Sequence, residues 1–167
     1  MSATNHNNAA DLILTRVVDV PPALVWTAWT VPKHLEQWYC PRPYGARVVE
    51  MDVRPGGAFH CLILDPKGDV MEDIPGCYLE VVDKERLSFT SALTAGYRPV
   101  NGSSGFPFLF TAIITFEAVN GGSCRYTVRA LHGDEADARK HADMGFHDGW
   151  GTALDQLVAY AKAHLAE

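Results

Sequence analysis

An aspartate and a histidine four positions apart, Asp143 and His147, form the pair of side chains in this sequence best suited to proton chemistry. Residues four apart on a helix are neighbours, so the carboxylate could contact the imidazole. That contact would fix the tautomer of the ring and raise its basicity, and His147 would then be a general base for a bound molecule. The same pair also fits an ordinary polar cluster near a helix start, which we favour. We therefore name no catalytic residue beyond these two candidates.

Other nucleophiles and metal ligands lack the spacing that their chemistry requires. No serine or cysteine stands at a defined position beside the pair, so a nucleophilic triad has little support. The cysteines form no CxxC pair, and we predict that they are buried free thiols of a cytoplasmic protein. They are Cys40, Cys61, Cys77 and Cys124. His141 projects about 240° around a helix from His147, so we expect these two and His132 not to converge. We predict no metal site and no cofactor.

The element that would carry the acid and the imidazole is a long helix, which the spacing predicts over residues 134–165. Apolar side chains recur there at i, i+3 and i+4 and form one stripe. The stripe consists of Trp150, Leu154, Leu157, Val158, Ala161 and Leu165. At about 100° per residue, Asp143 and His147 fall in the same sector as Trp150. The helix would therefore turn both polar groups toward whatever its apolar stripe covers.

The rest of the sequence predicts an antiparallel sheet that this helix can cover. Apolar residues alternate with period two in several short runs separated by turn residues, which is typical of strands in a meander. We predict an α+β helix-grip fold, in which a curled sheet of about seven strands wraps around the C-terminal helix and two short helices follow the first strand. The predicted strands are residues 11–20, 47–53, 58–64, 76–82, 86–93, 108–119 and 123–132, the short helices begin near residues 21 and 33, and residues 94–107 form a loop.

Length and charge limit the class of protein further. The 167 residues suit one domain, and a net charge of −6 without a basic face argues against nucleic acid as a partner. No apolar stretch approaches the roughly 20 residues of a membrane span. We predict a disordered polar tail over residues 1–10, a single domain over residues 11–167 and a cytoplasmic location. Formation of a homodimer is left as an open alternative.

Several short motifs resemble one known family when they are taken in order. They are residues 16–29 (RVVDVPPALVWTAW), 35–38 (LEQW), 52–59 (DVRPGGAF), 76–82 (GCYLEVV), 85–90 (ERLSFT), and Gly149-Trp150 followed by Leu154 and Leu157. The chain resembles the SRPBCC superfamily, which includes the birch-pollen allergen and START domains. Within it, the motifs are similar to the branch homologous to the C-terminal domain of the activator of the 90-kDa heat-shock protein ATPase. The resemblance covers about residues 11–165.

The resemblance implies a cavity for a small apolar molecule between the sheet and the C-terminal helix. We predict a binding module without catalysis. An enzyme of the cyclase/aromatase or hydrolase-isomerase type that uses His147 and Asp143 is the first alternative, and a co-chaperone-like interaction module is the second. The predicted ligand-binding residues are Trp26, Trp29, Trp38, Phe59, Cys61, Ile63, Tyr78, Phe89, Phe110, Tyr126, Phe146, His147, Trp150 and Leu154.

Overall fold

Strands and helices follow one another largely in the order that the sequence predicts. The structure, a computed structural model, describes residues 8–101 and 106–166. The elements of these residues are β1 (Asp11–Val18), α1 (Pro22–Thr30), α2 (Pro32–Leu35), β2 (Gly45–Met51), β3 (Phe59–Leu64), β4 (Val70–Ile74), β5 (Cys77–Val82), β6 (Arg86–Thr90), β7 (Leu93–Thr94), β8 (Arg98–Pro99), β9 (Phe110–Val119), β10 (Ser123–His132), α3 (Glu135–Asp143) and α4 (Phe146–His164).

Antiparallel pairing joins most of these strands into a curled sheet with two parts. Five strands pair in the order β1-β10-β9-β6-β5, and β2, β3 and β4 form a second part. A bridge between Ala58 and Cys77 connects the two parts. Beside it, Gly76 permits a close approach, because a Cβ there would stand 2.9 Å from the carbonyl oxygen of Phe59. The predicted α+β helix-grip fold is confirmed.

Alternation along the central strands places one row of apolar side chains inside the curl. On β9, Ile114 is fully buried, and it stands opposite the fully buried Val128 of β10. Successive side chains of a strand point to opposite faces, so the buried row recurs every second residue. Buried residues of α4, including Leu154 and Leu157, join this row in one hydrophobic core. The period-two pattern of the sequence thus determines which face of the sheet meets the helix.

The short helices after β1 supply the aromatic part of the core. Trp29 of α1 is completely buried, and its Nε1 donates a hydrogen bond of 3.1 Å to the hydroxyl of Tyr126. Trp38 follows α2, packs edge-on against Trp29 and donates from Nε1 to the carbonyl oxygen of Ala28. Burial of an indole requires such a partner for its N–H. These hydrogen bonds fix both rings in place.

The predicted single helix over residues 134–165 is wrong, because the chain forms two helices there. The first, α3, ends at Asp143, and Gly145 adopts a left-handed conformation with φ of 91° before α4 begins at Phe146. Glycine takes this conformation without the steric cost that a Cβ carries, so it terminates the first helix. Asp143 and His147 therefore do not occupy successive turns of one helix.

The start of α3 provides the first testable prediction. Asp134 caps this helix, because its Oδ1 accepts a hydrogen bond of 2.8 Å from the backbone N–H of Asp137. Asp134→Ala is expected to lower the free energy of unfolding by about 1 kcal/mol, measured by urea denaturation. Asp143→Ala, at the exposed end of the same helix, is the matched control and should change it by less than about 0.5 kcal/mol. Equal effects of the two variants would contradict a capping role.

Two further differences from the sequence prediction concern strands. The strand β4 was missed. The short pair β7 and β8 was also missed, and it spans the end of the predicted strand 86–93 and the start of the predicted loop. Most of the predicted N-terminal tail, residues 1–7, lies outside the described residues. Within the described part, the carbonyl oxygen of Ala10 accepts a hydrogen bond from the backbone N–H of His132. No helix among the described residues is long and apolar enough to cross a membrane.

Candidate ligand-binding cavity

An apolar cavity of about 270 Å³ lies between the sheet and α4. The sheet contributes residues of β3, β4, β6 and β9, and α4 contributes one face of its first two turns. The cavity is lined by Trp38, Tyr39, Cys40, Pro41, Phe59, Cys61, Ile63, Ile74, Gly76, Phe89, Thr90, Ser91, Phe106, Phe110, His141, Met144, Gly145, Phe146, Gly149, Trp150 and Ala153.

Small residues on α4 leave this space open. Gly149 and Ala153, four positions apart, both line the cavity, and a Cβ at Gly149 would meet nothing within 4 Å. Between them, Trp150 stacks on Trp29 at 6.4 Å between ring centroids. Trp29 also lies 5.9 Å from the ring of Phe89. Phe89 and Trp150 of the cavity wall therefore pack against Trp29 behind them, and the small residues of the helix do not fill the space in front of them.

The structure brings eight of the fourteen predicted ligand-binding residues to the cavity wall and places six elsewhere. Those at the wall are Trp38, Phe59, Cys61, Ile63, Phe89, Phe110, Phe146 and Trp150. Those away from it are Trp26, Trp29, Tyr78, Tyr126, His147 and Leu154. Five of these six are buried in the core and contact other protein side chains instead of the cavity. Residues on the inner face of the sheet and helices serve two purposes: some fill the hydrophobic core, and others border the cavity. The sequence pattern identifies the inner face but does not distinguish these two groups.

The predicted acid–imidazole pair lies outside the cavity. Asp143 and His147 are both exposed, and neither belongs to the cavity wall. The Nε2 of His147 is 3.1 Å from the carbonyl oxygen of Ile13. Since a carbonyl oxygen only accepts, the ring donates this hydrogen bond and links α4 to β1. The expectation that these residues face the core side of one helix is therefore wrong.

Two of the three hydroxyls of the cavity wall form hydrogen bonds within the protein, the third belongs to Tyr39, and the two thiols of the wall are unreactive. The Oγ of Ser91 accepts a 3.0 Å hydrogen bond from the N–H of Phe110, and the Oγ1 of Thr90 accepts one of 3.1 Å from Ala92. Burial raises the pKa of Cys40 to about 11 and that of Cys61 to about 12. Both cysteines are therefore neutral thiols near pH 7, and a thiol is a poor nucleophile.

A buried histidine that the sequence reasoning did not select, His141, belongs to the cavity wall. Its side chain is 5% exposed, and the rings of Phe108, Phe110 and Phe146 lie within about 5 Å of its centroid. The Nδ1 of His141 is 2.8 Å from the Nε2 of His132. Burial first, and the neighbouring His132 second, lowers the pKa of His141 to about 4. The ring is therefore neutral at physiological pH.

The expectation that the three histidines would not converge is wrong for His132 and His141. The hydrogen bond between them forms because only Gly133 and Asp134 separate β10 from α3, which folds the helix back over the end of the strand. Ala138 and His141 are the two buried residues of α3, three positions apart. This spacing places both residues on one face of a helix, and it was the feature of the sequence from which burial of His141 could have been predicted. The described residues contain no cluster of three or more groups that could hold a metal ion.

A sheet curled around a C-terminal helix, with an apolar cavity between them, defines a helix-grip protein of the SRPBCC superfamily. A family model described as Activator of Hsp90 ATPase homolog 1-like protein matches residues 19–162. The chain therefore belongs to this family, which confirms the resemblance in the sequence motifs. Comparison with curated proteins finds no match.

Solved structures agree with this assignment. A protein from Nitrosomonas europaea is 40% identical, with a TM-score of 0.83 over 95% of this chain and 98% of that chain. The AHSA1 protein from Silicibacter pomeroyi is 19% identical, with a TM-score of 0.66 over 92% of this chain and 99% of that chain. A protein from Arthrobacter aurescens is 20% identical, with a TM-score of 0.77 over 93% and 87% of the two chains. The last two show the fold alone.

Proposed function

We propose that the cavity binds a small hydrophobic or amphipathic molecule without changing it chemically. The fold is one that commonly binds hydrophobic ligands. The observation that carries the proposal is the space itself, which is bounded by aromatic rings and small helix residues. Concave, mostly apolar sites with few polar groups are typical of small-molecule pockets. Transfer of apolar ligand surface from water to this wall supplies the driving force.

The position of Asp143 and His147 favours binding over catalysis by this pair. A general base must come within hydrogen-bond reach of the proton that it removes. His147 is exposed and bonded to the backbone of β1, so it would not reach a molecule in the cavity. An enzyme that uses these two residues is thus the weaker candidate. For a co-chaperone-like interaction role, we find no supporting contact among the described residues.

Calorimetric titration with 2-methoxynaphthalene tests the proposal. This neutral two-ring probe should bind the wild-type protein saturably at one site. His147→Ala should leave its dissociation constant unchanged within about twofold, because the histidine does not line the cavity. Absence of saturable binding would refute the proposal. Loss of binding in His147→Ala would move the site to the predicted acid–imidazole pair.

We also propose that the protein works in a reducing compartment such as the cytoplasm. The four cysteines are all buried and free, which is the state expected where thiols are kept reduced. The four cysteines, all among the described residues, form no disulfide bond with one another. The possible homodimer stays a prediction from the sequence.

A further inference from the structure

The cavity wall contains one nitrogen whose hydrogen-bonding role is determined by its surroundings. His141 stands among Phe108, Phe110 and Phe146, and its side chain is 5% exposed. Within the described residues, its hydrogen bond is formed by Nδ1. The second ring nitrogen, Nε2, remains available on a ring that is part of the cavity wall. A polar atom in apolar surroundings costs free energy unless a partner satisfies it.

A chain of two hydrogen bonds fixes the tautomer of this ring. The carbonyl oxygen of Ala10 lies 2.7 Å from the Nδ1 of His132, and it can only accept. The Nδ1 of His132 therefore carries the proton, and the Nε2 of the same neutral ring accepts. His141 donates to it from Nδ1. In the neutral pair, the Nε2 of His141 consequently carries a lone pair and acts as an acceptor.

The two hydroxyls of the wall that lie on the sheet do not compete for this role. Ser91 and Thr90 use their oxygens on backbone groups of β9 and of the turn after β6. They stabilise the end of the β6–β9 strand pair and are already satisfied. Unlike Ser91 and Thr90, the Nε2 of His141 is therefore an acceptor that a ligand entering the cavity could meet without first breaking an internal hydrogen bond of the protein. The hydroxyl of Tyr39 is a second polar group of the wall that such a ligand could meet.

We propose that the Nε2 of His141 accepts a hydrogen bond from a hydroxyl group of the ligand, so that the cavity selects phenols and cyclic alcohols over their ether and hydrocarbon analogues. This inference rests on the proposed function of the cavity and adds the chemical class of its occupant. His132 is a positioning residue, since it acts by holding the tautomer of His141. The apolar ring of phenylalanines around His141 strengthens the hydrogen bond, because little water competes for it.

Two probes that differ in one donor test this proposal. 2-Naphthol carries a hydroxyl, and 2-methoxynaphthalene replaces its proton with a methyl group. His141→Phe keeps a ring of similar size and removes the acceptor. We expect this substitution to weaken the affinity for 2-naphthol about tenfold and to change the affinity for 2-methoxynaphthalene by less than about twofold, as measured by calorimetry. His147→Phe, which alters an exposed histidine outside the wall, is the matched control and should affect neither probe.

Variants of His132 test the positioning role separately. His132→Gln keeps a donor for Ala10 and an acceptor for His141, so it should retain the preference for 2-naphthol. His132→Leu removes both groups and should reduce that preference about as much as His141→Phe does. A purely structural role of His132 would instead lower the affinity for both probes equally, and that result would overturn the assignment.

A measurement without mutation covers the case in which a variant does not fold. In ¹⁵N NMR spectra at neutral pH, the Nε2 of His141 should resonate as an unprotonated ring nitrogen and should shift on binding 2-naphthol only. A protonated Nε2, or equal shifts with both probes, overturns the proposal. If both probes bind and His141→Phe weakens them equally, the hydroxyl inference fails and the cavity function stands. If neither binds wild-type protein, both fail.

Discussion

Ala153→Trp is expected to abolish binding of 2-methoxynaphthalene, with an affinity loss of at least about 100-fold. Ala153 lies on the inner face of α4, is 5% exposed and forms part of the cavity wall. An indole at this position would occupy the space that the ligand needs, because packed protein leaves little other room for it. A 100-fold loss corresponds to about 2.7 kcal/mol of binding free energy, and calorimetry measures it directly.

The neighbouring position provides the matched control. Thr152 stands on the same helix and is exposed, so Thr152→Trp adds the same bulk on the solvent side. We expect Thr152→Trp to keep the affinity of the wild-type protein. Urea denaturation of both variants shows whether the fold is intact, since an overpacked core costs about 1–3 kcal/mol. A folded Ala153→Trp protein that still binds the probe would exclude the cavity as the site.

Acidification from pH 7 to pH 4 is expected to lower the free energy of unfolding by about 3 kcal/mol through His141 alone. Burial lowers the pKa of His141 to about 4 in the folded protein, whereas an imidazole in the unfolded chain titrates near 6.5. Between these values the unfolded state binds a proton that the folded state does not. This contribution to stability is therefore present in full above about pH 6.5 and is lost progressively as the pH falls from there to about 4.

Urea denaturation at several pH values measures this loss. His141→Phe removes the titrating ring, so the decline between pH 7 and pH 4 should be smaller by about 3 kcal/mol in this variant. His147→Phe, which removes an exposed histidine outside the cavity wall, is the matched control variant for this comparison. An identical decline in wild type and His141→Phe would show that His141 does not remain neutral in the folded state.

The alternation of apolar residues made the architecture predictable, whereas the break in the last helix was not. Ile114 and Val128 face inward because strands alternate, and the sequence displays that period directly. The apolar stripe from Trp150 to Leu165 lies wholly after Gly145, and the helical projection simply extended it back to Asp143, so the spacing did not reveal a second helix. The break depends on a positive φ at one glycine, and a glycine alone does not specify that angle.

The cavity was predictable in outline, and its individual residues only in part. Phe89 and Tyr126 both face inward. Tyr126 accepts a hydrogen bond from Trp29 and fills the core, whereas Phe89 borders the cavity. That division depends on how three elements pack together, which no local pattern contains. His141 was missed for the same reason, because its partner His132 belongs to a different element. The contact between His132 and His141 forms only because α3 folds back over β10.

Intermolecular nuclear Overhauser effects from bound 2-methoxynaphthalene test the central claim most directly. The account predicts contacts from the protons of the probe to the methyl group of Ala153 and to the ring of Phe89, which lie on the helix and sheet sides of the cavity. Contacts confined to exposed apolar side chains of β1, such as Ile13 and Val17, would contradict it. They would place the probe on the outer surface of the protein and leave the cavity without a ligand.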